Sequence, residues 1–297
     1  MKIPLFTGSS VAIVTPMHPD GSVNFEKLGE LIEFQLSNGT AAITICGTTG
    51  ESSTLKDDEH LSAIRYTVER TAGRAVVIAG TGSNDTSHAI ELSREAAAYG
   101  ANGLLLVTPY YNKCTPKGLI RHYTMIADRA GIPAIVYNVP SRTGVAMSVS
   151  IYQELSKHPM INGVKEASGD TDIVLRTLAV CGNELNIWSG NDSQIVPFMA
   201  LGAKGVISVL ANICPRETAG IANACLSGDY QKAASMQIAY INLIDALFSE
   251  VNPIPVKTAM NLMGMDVGPL RMPLCEMEPV SLERLKQSMT AMGISLV

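Results

Sequence analysis

The sequence predicts an α/β protein, specifically a (β/α)8 barrel of the TIM-barrel class with a C-terminal helical appendage. Three observations support this fold. The 297 residues are 46% hydrophobic and 16% charged, which suits one large buried core. Eight short apolar runs alternate with amphipathic helical patterns. The first run is followed by Pro16-Met17-His18-Pro19 and not by a glycine-rich phosphate loop, which disfavours an open, doubly wound nucleotide-binding sheet.

Each apolar run is short, rich in Val and Ile, and continuous, as expected for a parallel strand that is buried on both faces. Eight is the number of strands that closes this kind of barrel. The predicted strands begin at Val11, Ala42, Ala75, Gly103, Ala134, Ile161, Leu185 and Gly205.

The segments between the strands have helical periodicity and helix-ending glycines. In the first, Asn24 is placed to cap the helix and Gly39 to end it, while Leu28, Leu31 and Ile32 fall on one stripe. The same pattern repeats in 57–73, 84–100, 116–131, 148–158, 170–182 and 191–202.

The C-terminal part of the chain has no strand signals. From about Asp229 onward, the patterns around 230–250, 255–263 and 281–292 all predict helices. We therefore divide the chain into a catalytic barrel, residues 1–228, and a C-terminal helical region, residues 229–297. No linker-like stretch separates the two, so the helices are expected to pack on the barrel or on another subunit.

Composition disfavours several classes of function. The net charge of -5 comes without any basic run, which argues against nucleic-acid and membrane partners. The six cysteines never form CxxC, and the N-terminus lacks the layout of a secretory signal, so a cytoplasmic protein with reduced thiols is expected. The five histidines form neither HxH nor HExxH, so no metal site is predicted.

Lys165 is the most informative single residue. It lies within the apolar sixth run, between the small residues Gly163 and Ala167, near the strand end where barrel enzymes build their sites. Burial lowers the pKa of an amine, which leaves a fraction of it neutral and able to attack a carbonyl. The alternative from position alone is that Lys165 points outward or pairs with Glu166.

Other polar residues follow neighbouring strands. Tyr137 ends strand five and is a candidate proton shuttle, or a core tyrosine. Thr48 and Thr49 lie between glycines after strand two and suit a carboxylate, although the segment is also an ordinary turn. Arg142 suits a second carboxylate, or a surface salt bridge. The adjacent Tyr110 and Tyr111 are expected to point in opposite directions, one toward the site and the other toward an interface; the alternative is that both pack at an interface.

Several segments together resemble the dihydrodipicolinate synthase family, over nearly the whole chain. These are GTTGE at 47–51, TPYYN at 108–112, YNVPSRTG at 137–144, VKEASG at 164–169 and NPIPVK at 252–257. The resemblance implies a class I aldolase-like lyase of lysine and diaminopimelate biosynthesis. An enzyme of this kind would join pyruvate to aspartate 4-semialdehyde without a cofactor, and it would be a homotetramer built from tight dimers.

The resemblance also implies roles for individual residues. Lys165 would form the imine with pyruvate. Tyr137, Thr48 and Tyr111 of the partner subunit would relay protons, Thr48 and Thr49 would hold the pyruvate carboxylate, and Arg142 that of the semialdehyde. Gly190 and Ile207 would line the pocket through their backbones.

Two alternatives remain at this stage. The wider superfamily includes N-acetylneuraminate lyases and 2-keto-3-deoxy sugar-acid aldolases, which generally lack an arginine after the YN-x-P motif. Arg142 therefore favours the synthase. A catalytically silent binding barrel is the other alternative, although such a protein has no need for Lys165, Tyr137 and Arg142 together.

The resemblance extends to a possible allosteric lysine site. Ser52, His60, Asn84 and Tyr110 match positions of the site by which lysine inhibits some family members. Asp57 stands where responsive members often have histidine, and His88 where they have glutamate. Feedback inhibition by lysine is therefore predicted to be weak or absent.

Overall fold

Eight parallel strands close into a barrel in the computed structural model, which describes residues 1–297. Each strand pairs with the next in sequence, and the last pairs with the first. The predicted fold is confirmed. The strands are β1 Gly8–Ala12, β2 Ala42–Ile45, β3 Val76–Gly80, β4 Gly103–Val107, β5 Ala134–Asn138, β6 Ile161–Glu166, β7 Asn186–Ser189 and β8 Gly205–Ser208.

Helices surround the barrel and continue beyond it. Short 3-10 turns at 52–54, 182–184, 192–194 and 210–212 complete the connections. The helices are α1 Phe25–Ser37, α2 Asp57–Thr71, α3 Thr86–Ala98, α4 Pro116–Ala130, α5 Pro140–Thr143, α6 Val149–Ser156, α7 Thr171–Cys181, α8 Ile195–Ala200, α9 Pro215–Leu226, α10 Tyr230–Leu247, α11 Ile254–Leu262 and α12 Pro279–Ala291. None of them is long and apolar enough to cross a membrane.

The predicted elements differ from the structure in detail, most clearly at β1 and α9. β1 begins at Gly8, three residues before the predicted start, because Ser9 and Ser10 extend the strand without an apolar side chain; Ser10 is hydrogen-bonded to Thr44 of β2 (2.9 Å). Helix α9 was not predicted at all. Its sequence, PRETAGIANACL, is dominated by small residues, so it lacks the large apolar stripe that marks the other helices.

The interior of the barrel holds its own small cluster of side chains. One or two inward residues from most strands contribute, and the largest is Trp188 on β7, which stacks on Phe6 with 5.2 Å between ring centroids. The barrel is therefore a packed core and not a pore. Tyr137 and Ile207 belong to this interior cluster.

The C-terminal helices pack on the barrel, as one of the two predicted alternatives has it. A single larger core lies between the strands and helices and includes Leu243, Val256 and Leu285 of the appendage. A buried ion pair joins Lys257 of α11 to Glu51 beyond β2, with 2.8 Å between Nζ and Oε1. Removing one partner of a pair of this kind leaves an unpaired buried charge, at a cost of about 3–5 kcal/mol.

Candidate active site

Lys165 points into the barrel from β6 and is 6% exposed. Two positions earlier on the same face, Gly163 packs closely against β7, since a Cβ there would lie 2.2 Å from the Asn186 carbonyl oxygen and 2.6 Å from the Trp188 ring. Glu166, the next residue, projects on the other face of the strand. In the structure, Lys165 therefore neither points outward nor pairs with Glu166.

Tyr137 lies beside Lys165. The two residues are register partners on β5 and β6, and Nζ of Lys165 lies 4.4 Å from the centroid of the Tyr137 ring. Burial raises the pKa of Tyr137 to about 12. The phenol thus remains protonated at neutral pH, within reach of a group bound to the amine.

The surroundings of Lys165 raise the fraction of the amine that is neutral. The pKa of Lys165 is lowered from 10.5 to about 8, chiefly because the amine is buried; the carboxylate of Asp192 opposes this shift, and the positive charge of Arg142 adds to it. Asp192 is 2% exposed, and its Oδ2 accepts hydrogen bonds from the backbone N–H groups of Val209 (3.0 Å) and Leu210 (2.9 Å). Sequence analysis missed this residue, although its position just after strand seven was a usable signal.

Thr49 and Arg142 are connected through Asn252, a second residue that sequence analysis missed. The Asn252 amide donates to the Thr49 hydroxyl (3.0 Å), and Arg142 donates from Nη2 to the Asn252 carbonyl oxygen (3.0 Å). Thr49 is buried, whereas Arg142, on the short helix α5, is exposed in the single chain. The C-terminal region therefore contacts both predicted carboxylate-binding groups. Asn252 lies in the NPIPVK segment, but its role depends on contacts more than 100 positions away in sequence.

Gly190 and Ile207 flank Lys165 and Tyr137, respectively. A Cβ at residue 190 would lie 3.2 Å from Cε of Lys165 and 2.7 Å from Cβ of Ala167, so the glycine leaves room for the lysine side chain. Ile207 is fully buried in the interior cluster that contains Tyr137.

Tyr110 and Tyr111 differ in surroundings, as their adjacency suggested. Tyr111 is 93% exposed and has a φ of 68°, a conformation that is unfavourable for a residue with a large side chain. The segment is held in place by hydrogen bonds of Asn84 to the Tyr110 carbonyl oxygen (3.2 Å) and of Asn112 to the Asn84 carbonyl oxygen (2.9 Å). Strain of this kind persists where the neighbouring structure enforces it, often at functional sites.

A cavity of about 530 Å³ opens beside these residues. Thr48 and Arg142 line it, but Lys165 and Tyr137 do not. The four residues that match the lysine site also line the cavity, namely Ser52, His60, Asn84 and Tyr110, and so do Asp57 and His88, which depart from it.

Within this cavity, Asp57 and His88, the two residues that depart from the lysine-responsive pattern, contact each other. His88 Nε2 lies 3.0 Å from Asp57 Oδ1. The ring of His60 also has a hydrogen-bond partner, because its Nε2 lies 2.8 Å from the Gly80 carbonyl oxygen. Burial lowers the pKa of this imidazole.

Comparison with known proteins places this architecture in one family. The model of the dihydrodipicolinate synthetase family matches residues 5–292. A 4-hydroxy-tetrahydrodipicolinate synthase of a Thermoanaerobacter species is 55% identical over 98% of this chain and 98% of its own.

Solved structures agree with the sequence comparison. Dihydrodipicolinate synthase from Aquifex aeolicus superposes with a TM-score of 0.95 at 44% identity, covering 98% of this chain and 99% of the other. The dihydrodipicolinate synthase from Acinetobacter baumannii, complexed with pyruvate, has a TM-score of 0.95 at 41% identity, covering 97% and 99%. With its inward lysine and its closed barrel, the chain belongs to the dihydrodipicolinate synthetase family.

Proposed function

We propose that Lys165 is the nucleophile with which this chain performs the synthase reaction of its family. In that reaction, pyruvate and L-aspartate 4-semialdehyde condense to 4-hydroxytetrahydrodipicolinate, the first committed step of the diaminopimelate and lysine pathway. The observation that carries the assignment is the buried Lys165 amine inside the barrel, next to the Tyr137 phenol.

The first step is imine formation. The neutral Lys165 amine adds to the ketone carbon of pyruvate, and the carbinolamine loses one water molecule to give the iminium. Departure of water requires a proton on the leaving oxygen, and the Tyr137 phenol beside the amine can supply it. The pKa of about 12 that burial gives Tyr137 keeps this proton available.

The next steps make the carbon-carbon bond and free the enzyme. The iminium nitrogen accepts the electron pair when a methyl proton leaves, which gives an enamine. The enamine carbon attacks the aldehyde. The amino group of the semialdehyde then displaces Lys165 from the imine carbon and closes the six-membered ring. One water is released overall, no electrons are exchanged, and the sequence of steps requires no cofactor.

Two carboxylate sites hold the substrates in this scheme. Thr48 and Thr49 hold the carboxylate of pyruvate, and the hydrogen bond from Asn252 to Thr49 supports this role by fixing the hydroxyl. Arg142 holds the carboxylate of the semialdehyde, for which its planar guanidinium is suited. Gly190 and Ile207 complete the walls.

The proton relay and the assembly are connected. Tyr111 of the partner subunit completes a relay with Tyr137 and Thr48, and the homotetramer is a dimer of tight dimers. The exposure and strained backbone of Tyr111 support this arrangement, since they present a large aromatic ring for contact with another chain.

The proposed location is the cytoplasm. We also propose residues 1–228 as the catalytic barrel and 229–297 as the helical region.

A side-by-side assay tests the function. The purified protein is given pyruvate with aspartate 4-semialdehyde, and in parallel reactions N-acetylneuraminate or 2-keto-3-deoxygluconate. We expect product from the semialdehyde and cleavage of neither sugar acid. Preferential cleavage of a sugar acid would support a lyase of the wider superfamily, and no turnover of any substrate would support a silent barrel.

A further inference from the structure

Glu166 is a buried charge that the reaction scheme leaves unused. It follows Lys165 on β6, is 1% exposed, and lies on the face of the strand that is turned away from the barrel interior. Burial of a carboxylate is costly unless hydrogen bonds and charges compensate for it. Because burial of its carboxylate costs free energy, and because it lies one position from the catalytic amine, Glu166 is expected to have a function.

Three side chains or backbone groups donate hydrogen bonds to this carboxylate, and none of them is a cation. The Asn138 amide lies 3.0 Å from both Oε1 and Oε2, and the backbone N–H of Ser168 lies 2.8 Å from Oε1. The Tyr152 hydroxyl of α6 donates to Oε2. Together these donors hold the carboxylate in one orientation.

The contact with Asn138 couples two strands at a critical point. Asn138 and Glu166 are register partners on β5 and β6, one step beyond the register pair of Tyr137 and Lys165. Asn138 is itself fixed, because its Oδ1 accepts a hydrogen bond from the backbone N–H of Met147 (3.1 Å). On the outer face, the contact between Asn138 and Glu166 thus holds β5 and β6 together, next to the place where the inner face carries Tyr137 and Lys165.

We propose that Glu166 is a positioning residue for the reaction. Its carboxylate binds Asn138 on the outer face of the barrel sheet, and this contact fixes the Tyr137 phenol beside the Lys165 amine. The inference rests on the proposed function, because it uses the roles assigned to Tyr137 and Lys165. A glutamine would offer one acceptor oxygen where the carboxylate offers two, so either the Tyr152 hydroxyl or the Ser168 N–H would lose its acceptor. The charge has a further effect: it opposes ionisation of the nearby Tyr137 and Tyr152 phenols.

The test is a double-mutant cycle between Glu166→Gln and Tyr137→Phe. In the wild-type background, Glu166→Gln is expected to lower kcat and the rate of borohydride trapping of pyruvate by about 10- to 100-fold, the range known for residues that orient metal ligands by hydrogen bonds. The pyruvate KM changes by less than about threefold, because Thr48 and Thr49 are untouched. In the Tyr137→Phe background, Glu166→Gln lowers the trapping rate by less than about twofold, since the group it positions is already gone.

Two further variants guard against a trivial result. Tyr152→Phe removes one donor only, and it is expected to give a smaller loss that also disappears in the Tyr137→Phe background. If Glu166→Gln fails to fold, the Tyr152→Phe cycle decides alone. Glu154→Gln on the same helix as Tyr152 removes an exposed charge paired with Lys157, and it is expected to leave the rates unchanged.

The outcomes separate the two proposals. Equal losses in both backgrounds, or a pyruvate KM that rises in step with the loss of kcat, would show a general structural role and overturn the inference, as would wild-type rates in the Glu166→Gln protein. Failure of wild-type Lys165 to be trapped at all would instead overturn the proposed function.

Discussion

The Lys165 amine lies 4.4 Å from the centre of the Tyr137 ring, and the two residues are register partners on adjacent strands. The face of an aromatic ring attracts a cation, whereas burial disfavours one. For Lys165, burial lowers the pKa to about 8. The ring therefore lies beside an amine that is partly neutral at physiological pH.

The rate of imine formation should depend on pH through this group. Below its pKa the amine is protonated and cannot attack, so the rate is expected to rise with pH and level off above about 8. At pH 7 about one amine in ten is neutral, compared with about one in three thousand at a pKa of 10.5. The check is the initial rate of borohydride trapping with pyruvate between pH 6 and 10; a midpoint near 10 would rule out a lowered pKa for Lys165.

Arg142 is predicted to act on the second substrate only. Arg142→Lys keeps the charge but loses the two-pronged hydrogen bond, so the KM for aspartate 4-semialdehyde should rise about 10- to 100-fold. Trapping of pyruvate at Lys165 should change by less than about threefold. Arg94→Lys, at an exposed position on α3, is the matched control and should change neither quantity. Equal damage to both measurements would refute the assigned role.

Asn252 is predicted to act on pyruvate through Thr49. Asn252→Ala removes the amide that donates to the Thr49 hydroxyl, and a lost hydrogen bond of about 1 kcal/mol corresponds to a pyruvate KM about fivefold higher. The KM for the semialdehyde should change less, since Arg142 contacts the backbone carbonyl of residue 252 and not its side chain. In a Thr49→Val protein, Asn252→Ala should add little; additive effects would mean that Asn252 works by another route.

The sequence predicts the closed barrel well because its main signals are local. Continuous Val and Ile runs mark strands buried on both faces, and Lys165 is conspicuous in such a run. β1 begins earlier than predicted because Ser9 and Ser10 carry no apolar signal, and α9 was missed because small residues weaken its periodicity.

The site was predicted less completely than the fold. Asp192, Asn252 and Glu166 owe their roles to contacts between distant segments, and a polar residue in a strand or loop does not reveal its partners. Glu166 also shows why the strand position of Lys165 left its direction open: only the structure shows which of two adjacent charged residues faces inward.

Inhibition by lysine is predicted to be weak or absent. His88 lies 3.0 Å from Asp57, so the carboxylate in this cavity already has a partner, and no glutamate occupies residue 88 to pair with the lysine ammonium group. Millimolar L-lysine should therefore leave the initial rate nearly unchanged. The combined substitution Asp57→His with His88→Glu should increase sensitivity; low-micromolar inhibition of the unmodified protein would contradict the prediction.

The most direct measurement is to identify the residue that pyruvate modifies. The protein is incubated with pyruvate and sodium borohydride, digested, and mapped by peptide mass spectrometry, with Lys257, the other buried lysine, as an internal comparison. We predict a reduced pyruvate adduct on Lys165 alone, and none in a Lys165→Arg protein. An unmodified Lys165, or an adduct on Lys257 in its place, would contradict the imine mechanism.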